Sequence, residues 1–290
     1  MVFRSTQKGS LALVTSTQLE RLIERAAELI ERADAIVITA GAGMGVDSGL
    51  PDFRGTEGLW GAYPALGQSK LRFVQIAAPE QFSARPALAW GFYGRRLQMY
   101  RRTDPHAGFH LLQSWAAAKP HGAFAVTSNV DGQFQKAGFS ASRVSEIHGS
   151  VHNLQCLQPC RQEIWSADGF DPVIDEVHCL LLSEAPQCPH CGKLARPNVL
   201  MFGDHRWVPQ RSADQTAAFN TWLEKVEHPV VIECGAGTAL PTIRQFGHRV
   251  AIHRKAALIR INPREAELQL TGVALPLGAR EALERIDALL

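Results

Sequence analysis

A short β-branched run, Ala35-Ile36-Val37-Ile38-Thr39, leads straight into a segment that carries Gly41, Gly43, Gly45 and Gly49. A run of this length and branching reads as a strand buried on both faces, the kind found in parallel sheets. Glycines directly past its end let bare backbone N–H groups approach an anion such as a phosphate closely. The segment closes on Asp52-Phe53-Arg54, which puts an acid, an aromatic plate and a fixed cation within three residues. The combination reads as a nucleotide loop with chemistry attached. Val46 stands where the third glycine of the usual dinucleotide fingerprint belongs, and no strand-end acid follows at the right distance. An ordinary hydride-transfer dehydrogenase is therefore disfavoured.

Composition narrows the class. At 290 residues, 46% apolar and 20% charged, the chain has the make-up of a soluble globular protein with one large domain and an insert, or two modest domains. The net charge is +2 with no block of Lys and Arg, which argues against a grip on nucleic acid. No apolar stretch reaches membrane-spanning length, and Leu11-Ala12-Leu13-Val14 is too short for a secretory signal. Six cysteines, four of them in two close pairs, argue for a cytoplasmic protein with a metal site rather than a disulfide framework.

Thr17 to Arg32 reads as a helix, with Thr17 and Glu20 as a capping box and Leu19, Leu22, Ile23, Ala26 and Ile30 at helical spacing. Arg85 to Arg102 and Ala107 to Ala118 read as helices, and Arg280 to Leu290 as a closing amphipathic one. Ala123–Thr127, Pro229–Cys234 and Ala257–Ile261 read as further buried strands. Each ends in small or polar residues: Ser128-Asn129, Gly235-Ala236-Gly237-Thr238 and Asn262-Pro263. Polar groups just past strand ends are what a doubly wound parallel sheet offers a ligand. The expected organisation is a parallel-sheet domain from 17–58, 106–150 and 196–290, a helical module at 59–105, and a Cys- and Pro-rich module at 151–195.

Cys156-Leu-Gln-Pro-Cys160 and Cys188-Pro-His-Cys191 supply two thiolate pairs suited to structural zinc, since four cysteines leave no open position for catalysis. A segment so poor in apolar residues needs such a staple. His190 and Cys179 read as bystanders, and Cys234 as core. Taken alone, Thr127-Ser128-Asn129-Val130-Asp131-Gly132 is a turn, and His148 a satisfied polar residue. Their co-occurrence with the glycine loop, the cysteine module and Gly237-Thr238 changes that reading.

Together these motifs resemble the sirtuin family. The likeness runs from about residue 35 to 277 through Gly41-Ala42-Gly43, Asp52-Phe53-Arg54, Thr127 to Gly138, His148-Gly149, the four cysteines, Arg196 to Gly203, Gly237-Thr238 and Ile261-Asn262. The resemblance implies a Rossmann-like α/β fold with an inserted zinc-binding module and a helical excursion. It implies an NAD-dependent protein lysine deacylase that yields nicotinamide and O-acyl-ADP-ribose, with NAD as co-substrate and zinc as structural metal. Asn129 and Asp131 would hold the nicotinamide amide, Phe53 would shield the reactive face, and His148 would act as general base on a ribose hydroxyl. Gly41, Ala42, Gly43, Asp52, Phe53, Arg54, Ser128, Gly237, Thr238 and Asn262 would complete the cofactor site. Met201-Phe202-Gly203 would pair with an acyl-lysine peptide as an added strand. Tyr93 and Arg96 share a helix face and resemble the Tyr-x-x-Arg of sirtuins that remove acidic acyl groups; the alternative is a packed tyrosine beside a surface arginine. A monomer is favoured.

The chain departs from the family at Gly45, Ser128, Phe134 and Ala239. Loss of hydrogen-bonding side chains at Gly45, Ser128 and Ala239, at roughly 0.5–1.5 kcal/mol each, predicts weaker NAD binding. Two other functions stay open on these grounds, a protein mono-ADP-ribosyltransferase and a non-catalytic NAD-binding regulatory module.

Overall fold

The computed structural model describes residues 15–52 and 55–290. The expected cofactor contacts Phe53 and Arg54 lie outside the described residues, as does the apolar stretch at 11–14. In chain order the elements are α1 (Ser16–Arg32), β1 (Ala35–Ala40), α2 (Gly55–Ala62), α3 (Pro64–Gln68), α4 (Phe73–Ile76), α5 (Glu80–Ala84), α6 (Pro86–Arg102) and α7 (Ala107–Ala117). They continue with β2 (Ala123–Thr127), α8 (Gln133–Lys136), β3 (Val144–Glu146), β4 (Gly149–Cys156), β5 (Ile164–Ser166), β6 (Ile174–Asp175), β7 (Leu180–Leu181) and β8 (Ala195–Val199). The chain closes with α9 (Gln210–Leu223), β9 (Pro229–Cys234), α10 (Thr242–Arg254), β10 (Leu258–Ile261), β11 (Gly272–Leu275) and α11 (Ala279–Asp287).

Six strands form one parallel sheet in the order β11-β10-β9-β1-β2-β3. Successive side chains of a strand face opposite sides, and the sheet's β-branched strands feed two separate cores. Ile36, Ile38 and Ala40 of β1 face one layer with α1, α7 and α11, where Ile23, Ile30, Phe109, Leu283 and Ile286 are buried. Ala35 and Val37 face the other layer, with Phe219 and Trp222 of α9 and Ile243 and Val250 of α10. Helices on both faces of a parallel sheet define the doubly wound α/β architecture expected from the strand runs.

The start of α1 differs in detail from the expectation. The capping box is Thr15 with Gln18, not Thr17 with Glu20: Thr15 accepts from the Gln18 N–H at 3.3 Å, and the Gln18 side chain accepts from the Thr15 N–H at 3.0 Å. Thr15 holds the extended backbone a cap needs, whereas Thr17 is already helical.

A second lobe grows from two insertions. Helices α2–α6 and strands β4–β8 share one core in which Leu59, Leu66, Phe82, Trp90, Phe92 and Tyr93 pack with Val151, Leu154, Ala167, Cys179 and Leu181. Long-range hydrogen bonds sew the two together. Trp90 Nε1 donates to the Ala195 carbonyl at 3.1 Å, and Arg101 donates to the Phe170 and Ala167 carbonyls, both at 2.8 Å. The approach is close enough that a Cβ at Gly91 would sit 2.0 Å from the Cys179 carbonyl oxygen, so α6 meets the antiparallel β6–β7 pair through bare backbone. Among the described residues, no helix is long and apolar enough to cross a membrane.

Candidate functional site

The registry of the parallel sheet builds the site. Ala40 is the register partner of Thr127 on one side and Cys234 on the other, Thr127 pairs with Glu146, and Cys234 with Ile261. Five strands thus end in one row, about 19 Å long at the usual ~4.8 Å spacing. The residues just beyond that row are Gly41, Ser128-Asn129, Ile147-His148, Gly235 and Asn262. A cavity of about 520 Å³ opens above the row. Gly41, Ala42, Asp52, Ser128, Asn129, Asp131, His148, Gly237 and Thr238 line it, together with Tyr93, Arg96, Met201 and Phe202 from the second lobe and the segment after β8. Gly43, Gly203 and Asn262 do not line it.

The glycine loop uses its glycines differently from the expectation. Gly41 N–H donates to the Cys234 carbonyl at 3.0 Å, and Gly43 N–H to the Gly235 carbonyl at 3.1 Å. A Cβ at Gly43 would fall 2.7 Å from Gly235 Cα, and one at Gly41 would fall 2.8 Å from the Gly235 oxygen. These glycines let the loops after β1 and β9 interlock, and those two N–H groups are spent on protein carbonyls rather than offered to a phosphate. A side chain at Gly45 would press on Leu50, 3.1 Å from its Cδ1, which gives a packing reason for the glycine there. Asn262 is fully buried, donates from Nδ2 to the Ala236 carbonyl and accepts from the Arg264 and Glu265 N–H groups; it braces the β9 and β10 loops. Glu265 takes the Thr238 N–H at 3.1 Å and its hydroxyl at 2.5 Å.

On the other side of β1 the polar side chains are held individually. Thr127 donates to the Ala40 carbonyl and accepts the Asn129 N–H, both at 3.0 Å, while Asn129 Nδ2 donates to the Gly41 carbonyl at 3.0 Å. That fixes the Asn129 amide with its oxygen as the remaining acceptor. Asp131 is buried, and its carboxylate accepts the Gln133 N–H at 3.0 Å. Burial raises its pKa to about 6, assisted by the nearby Glu146 charge and opposed by the Gln133 N–H and Arg96. His152 Nε2 lies 2.9 Å from the Asp131 carbonyl oxygen, which holds the turn from behind. His148 is half-buried, and desolvation holds its imidazole below the ordinary 6.5 while a hydrogen bond to the Ser128 backbone works the other way. A neutral imidazole in one cavity with an oriented amide and a buried carboxyl can hold a carboxamide and take a proton from a hydroxyl. Phe134 is buried against Phe109 and Phe139, with ring centroids 5.0 and 5.2 Å away.

In the segment after β8, Arg196 and Asp204 form a fully buried two-pronged pair at 2.7 and 2.9 Å, which fixes the turn carrying Met201 and Phe202. Phe202 N–H is spent on the Ala77 carbonyl at 3.0 Å. On α6, Tyr93 and Arg96 face the cavity, and so does Tyr100, which the sequence reading missed. Its signal was present, one helical turn beyond Arg96 on the same face.

In the cysteine module, the Sγ atoms of Cys156, Cys160, Cys188 and Cys191 lie within 4.8 Å of one another, with Cys156–Cys191 at 3.7 Å and Cys160–Cys188 at 3.6 Å. Zn–S bonds of ~2.3 Å in a tetrahedron give S···S edges of about 3.8 Å, so the cluster fits zinc. Cys179 and Cys234 are buried elsewhere.

A model of the Sir2 family matches residues 41–239. An NAD-dependent protein deacylase of Aquifex aeolicus is 30% identical over 80% of this chain and 85% of its own length. One from Thermus thermophilus is 28% identical over 91% of this chain and 93% of its own. A Sir2 homologue solved in complex with NAD aligns with a TM-score of 0.67 at 25% identity, over 93% of this chain and 92% of that one.

Proposed function

This chain belongs to the Sir2 family, and from that membership we propose that it works as an NAD-dependent protein lysine deacylase with a preference for acidic acyl groups. The observation that carries the reading is the single cavity lined at once by Gly41, Asn129, Asp131 and His148 from the strand-end row and by Tyr93 and Arg96 from α6. NAD supplies an activated glycosidic carbon. The Asn129 oxygen and the Asp131 carboxyl hold the carboxamide of the pyridine, and His148 takes a proton from a ribose hydroxyl. Asp52, Ser128, Gly237 and Thr238 border the rest of the dinucleotide, with Gly43 and Asn262 shaping their loops. Met201-Phe202-Gly203 receives the peptide that carries the acyl-lysine.

The acyl preference rests on charge. Arg96 is a buried cation beside the Tyr93 ring, and it lines the same cavity as His148. A succinyl or malonyl carboxylate satisfies such a guanidinium, and an acetyl group offers it nothing. Cys156, Cys160, Cys188 and Cys191 hold a structural zinc ion that tightens the second lobe and takes no part in the chemistry. Six free thiols, four of them zinc ligands, suit a reducing, cytoplasmic compartment.

Mass spectrometry of the zinc-loaded protein with millimolar NAD and acetyl- or succinyl-lysine peptides tests this. Loss of acyl mass with release of nicotinamide is expected. A gain of ADP-ribose mass on the peptide would make the protein a transferase instead, and absence of turnover on every acyl peptide would make it a binder.

A further inference from the structure

The acyl end of the cavity holds a contact that the reaction itself does not require. Arg96 is 7% exposed, and its guanidinium carbon lies 5.4 Å from the Phe92 ring, 5.5 Å from Tyr100 and 5.9 Å from Tyr93. Its Nε and Nη2 both donate to the Tyr100 hydroxyl oxygen, at 2.9 and 2.7 Å. Tyr100 is itself buried, lies one turn beyond Arg96 on α6, and lines the same cavity. Two donors converging on one oxygen fix the plane of a guanidinium as well as its position, because rotation of the arginine side chain breaks one bond or both. The phenol accepts in both bonds, so its own hydrogen stays available for another acceptor.

We propose that Tyr100 is a positioning residue for acyl selection, pre-setting the Arg96 guanidinium to receive the terminal carboxylate of a dicarboxylic acyl chain. The inference rests on the acidic-acyl reading above and deepens it. An arginine carries a large store of rotamers, and gripping a ligand removes them. One already held edge-on loses fewer, so the carboxylate binds more tightly for the same contacts. An acetyl group has no atom for Arg96 to hold, so the contact is silent for acetyl-lysine.

Tyr100→Phe removes the oxygen and keeps the ring in the core. Steady-state kinetics are measured on succinyl- and acetyl-lysine forms of one peptide. KM for the succinyl peptide is expected to rise about tenfold with kcat within about twofold, as for loss of one charge-assisted hydrogen bond. Both constants for the acetyl peptide are expected to stay within about twofold, which also reports a folded site. In an Arg96→Met background, Tyr100→Phe is expected to add nothing on the succinyl peptide. Equal changes on both peptides, no change on either, or an undiminished effect without Arg96 would overturn the proposal. Wild-type protein that spares succinyl-lysine altogether would instead overturn the acidic-acyl reading, and this inference with it.

Discussion

On the sheet side of the cavity, the walls are loop residues held where β1, β2, β3 and β9 end in register; on the far side, they are helix side chains of α6 packed on a module closed by four cysteines. The sheet side buries β-branched strands on both faces and contains no metal-ligand cluster among the described residues. The second lobe is assembled from short helices, two- to eight-residue strands and aromatic rings, and its backbone paths are set by bonds such as Trp90 to Ala195. A division of labour follows. In the proposed function, groups that act on every substrate sit on the sheet scaffold, where a fixed backbone holds them to hydrogen-bond precision. In the same reading, the groups that choose the acyl chain sit on the second lobe.

The largest effect of a single substitution should come from the sheet side. His148→Ala is expected to lower kcat/KM on the order of 10²–10⁴-fold for every acyl group, with NAD binding retained, as for loss of a general base. A fall confined to one acyl class would break the division. Zinc removal acts from the opposite side. Chelation is expected to abolish activity while hydrogen exchange rises first in β4–β8 and α6, leaving β1, β2 and β9 protected. Uniform loss of protection across both lobes would mean that they unfold as one unit.

A smaller effect concerns pH. Asp131 has its pKa raised to about 6 mainly by desolvation, so as pH falls through 6 it takes a proton and loses its role as acceptor. Burial holds the His148 imidazole below its ordinary value, so it takes up a proton less readily than a free imidazole does. An acid limb near pH 6 is expected in kcat/KM for NAD, on all acyl peptides alike. The stability sign runs the other way. A carboxyl whose folded pKa exceeds its unfolded value favours folding most below pH 3.8, and that benefit is lost as pH rises through about 6. Asp131→Asn should therefore raise Tm at pH 7.5, by a free-energy gain of up to about 3 kcal/mol at 1.36 kcal/mol per pKa unit, and have no such benefit at pH 4. A variant that is less stable at both pH values would show that the carboxylate is better satisfied than its burial suggests.

The same contrast governs what the sequence made legible. Pro229–Cys234 and Ala123–Thr127 were readable to the residue, because a doubly buried strand must be an unbroken apolar run. Position past strand ends singled out the loops after them, but the roles of Asn129 and Asp131 came from the resemblance to the sirtuin family, since taken alone that run reads as a turn. β11 escaped because it is four residues long and opens on Gly272, whose φ of 155° no other residue adopts easily. α9 and α10 escaped because Gln210–Leu223 is largely polar and Thr242–Arg254 carries Gly247 among β-branched residues, so neither shows a clean apolar stripe. The shared core of the two insertions was not readable at all. It rests on contacts such as Arg101 with Ala167 and Phe170, which no local periodicity records. Tyr100 was missed for a related reason, since its partner on α6 gives it meaning only once both are seen to face the cavity.

The division between the two sides is tested most directly by the ratio of kcat/KM on succinyl-lysine to that on acetyl-lysine, measured in wild type, His148→Ala and Arg96→Met. His148→Ala should leave the ratio within about threefold of wild type while depressing both values. Arg96→Met should lower the ratio about 10- to 100-fold, as for loss of a charge-assisted grip on a carboxylate, with the acetyl value nearly intact. A ratio that moves with His148 and not with Arg96 would contradict the account.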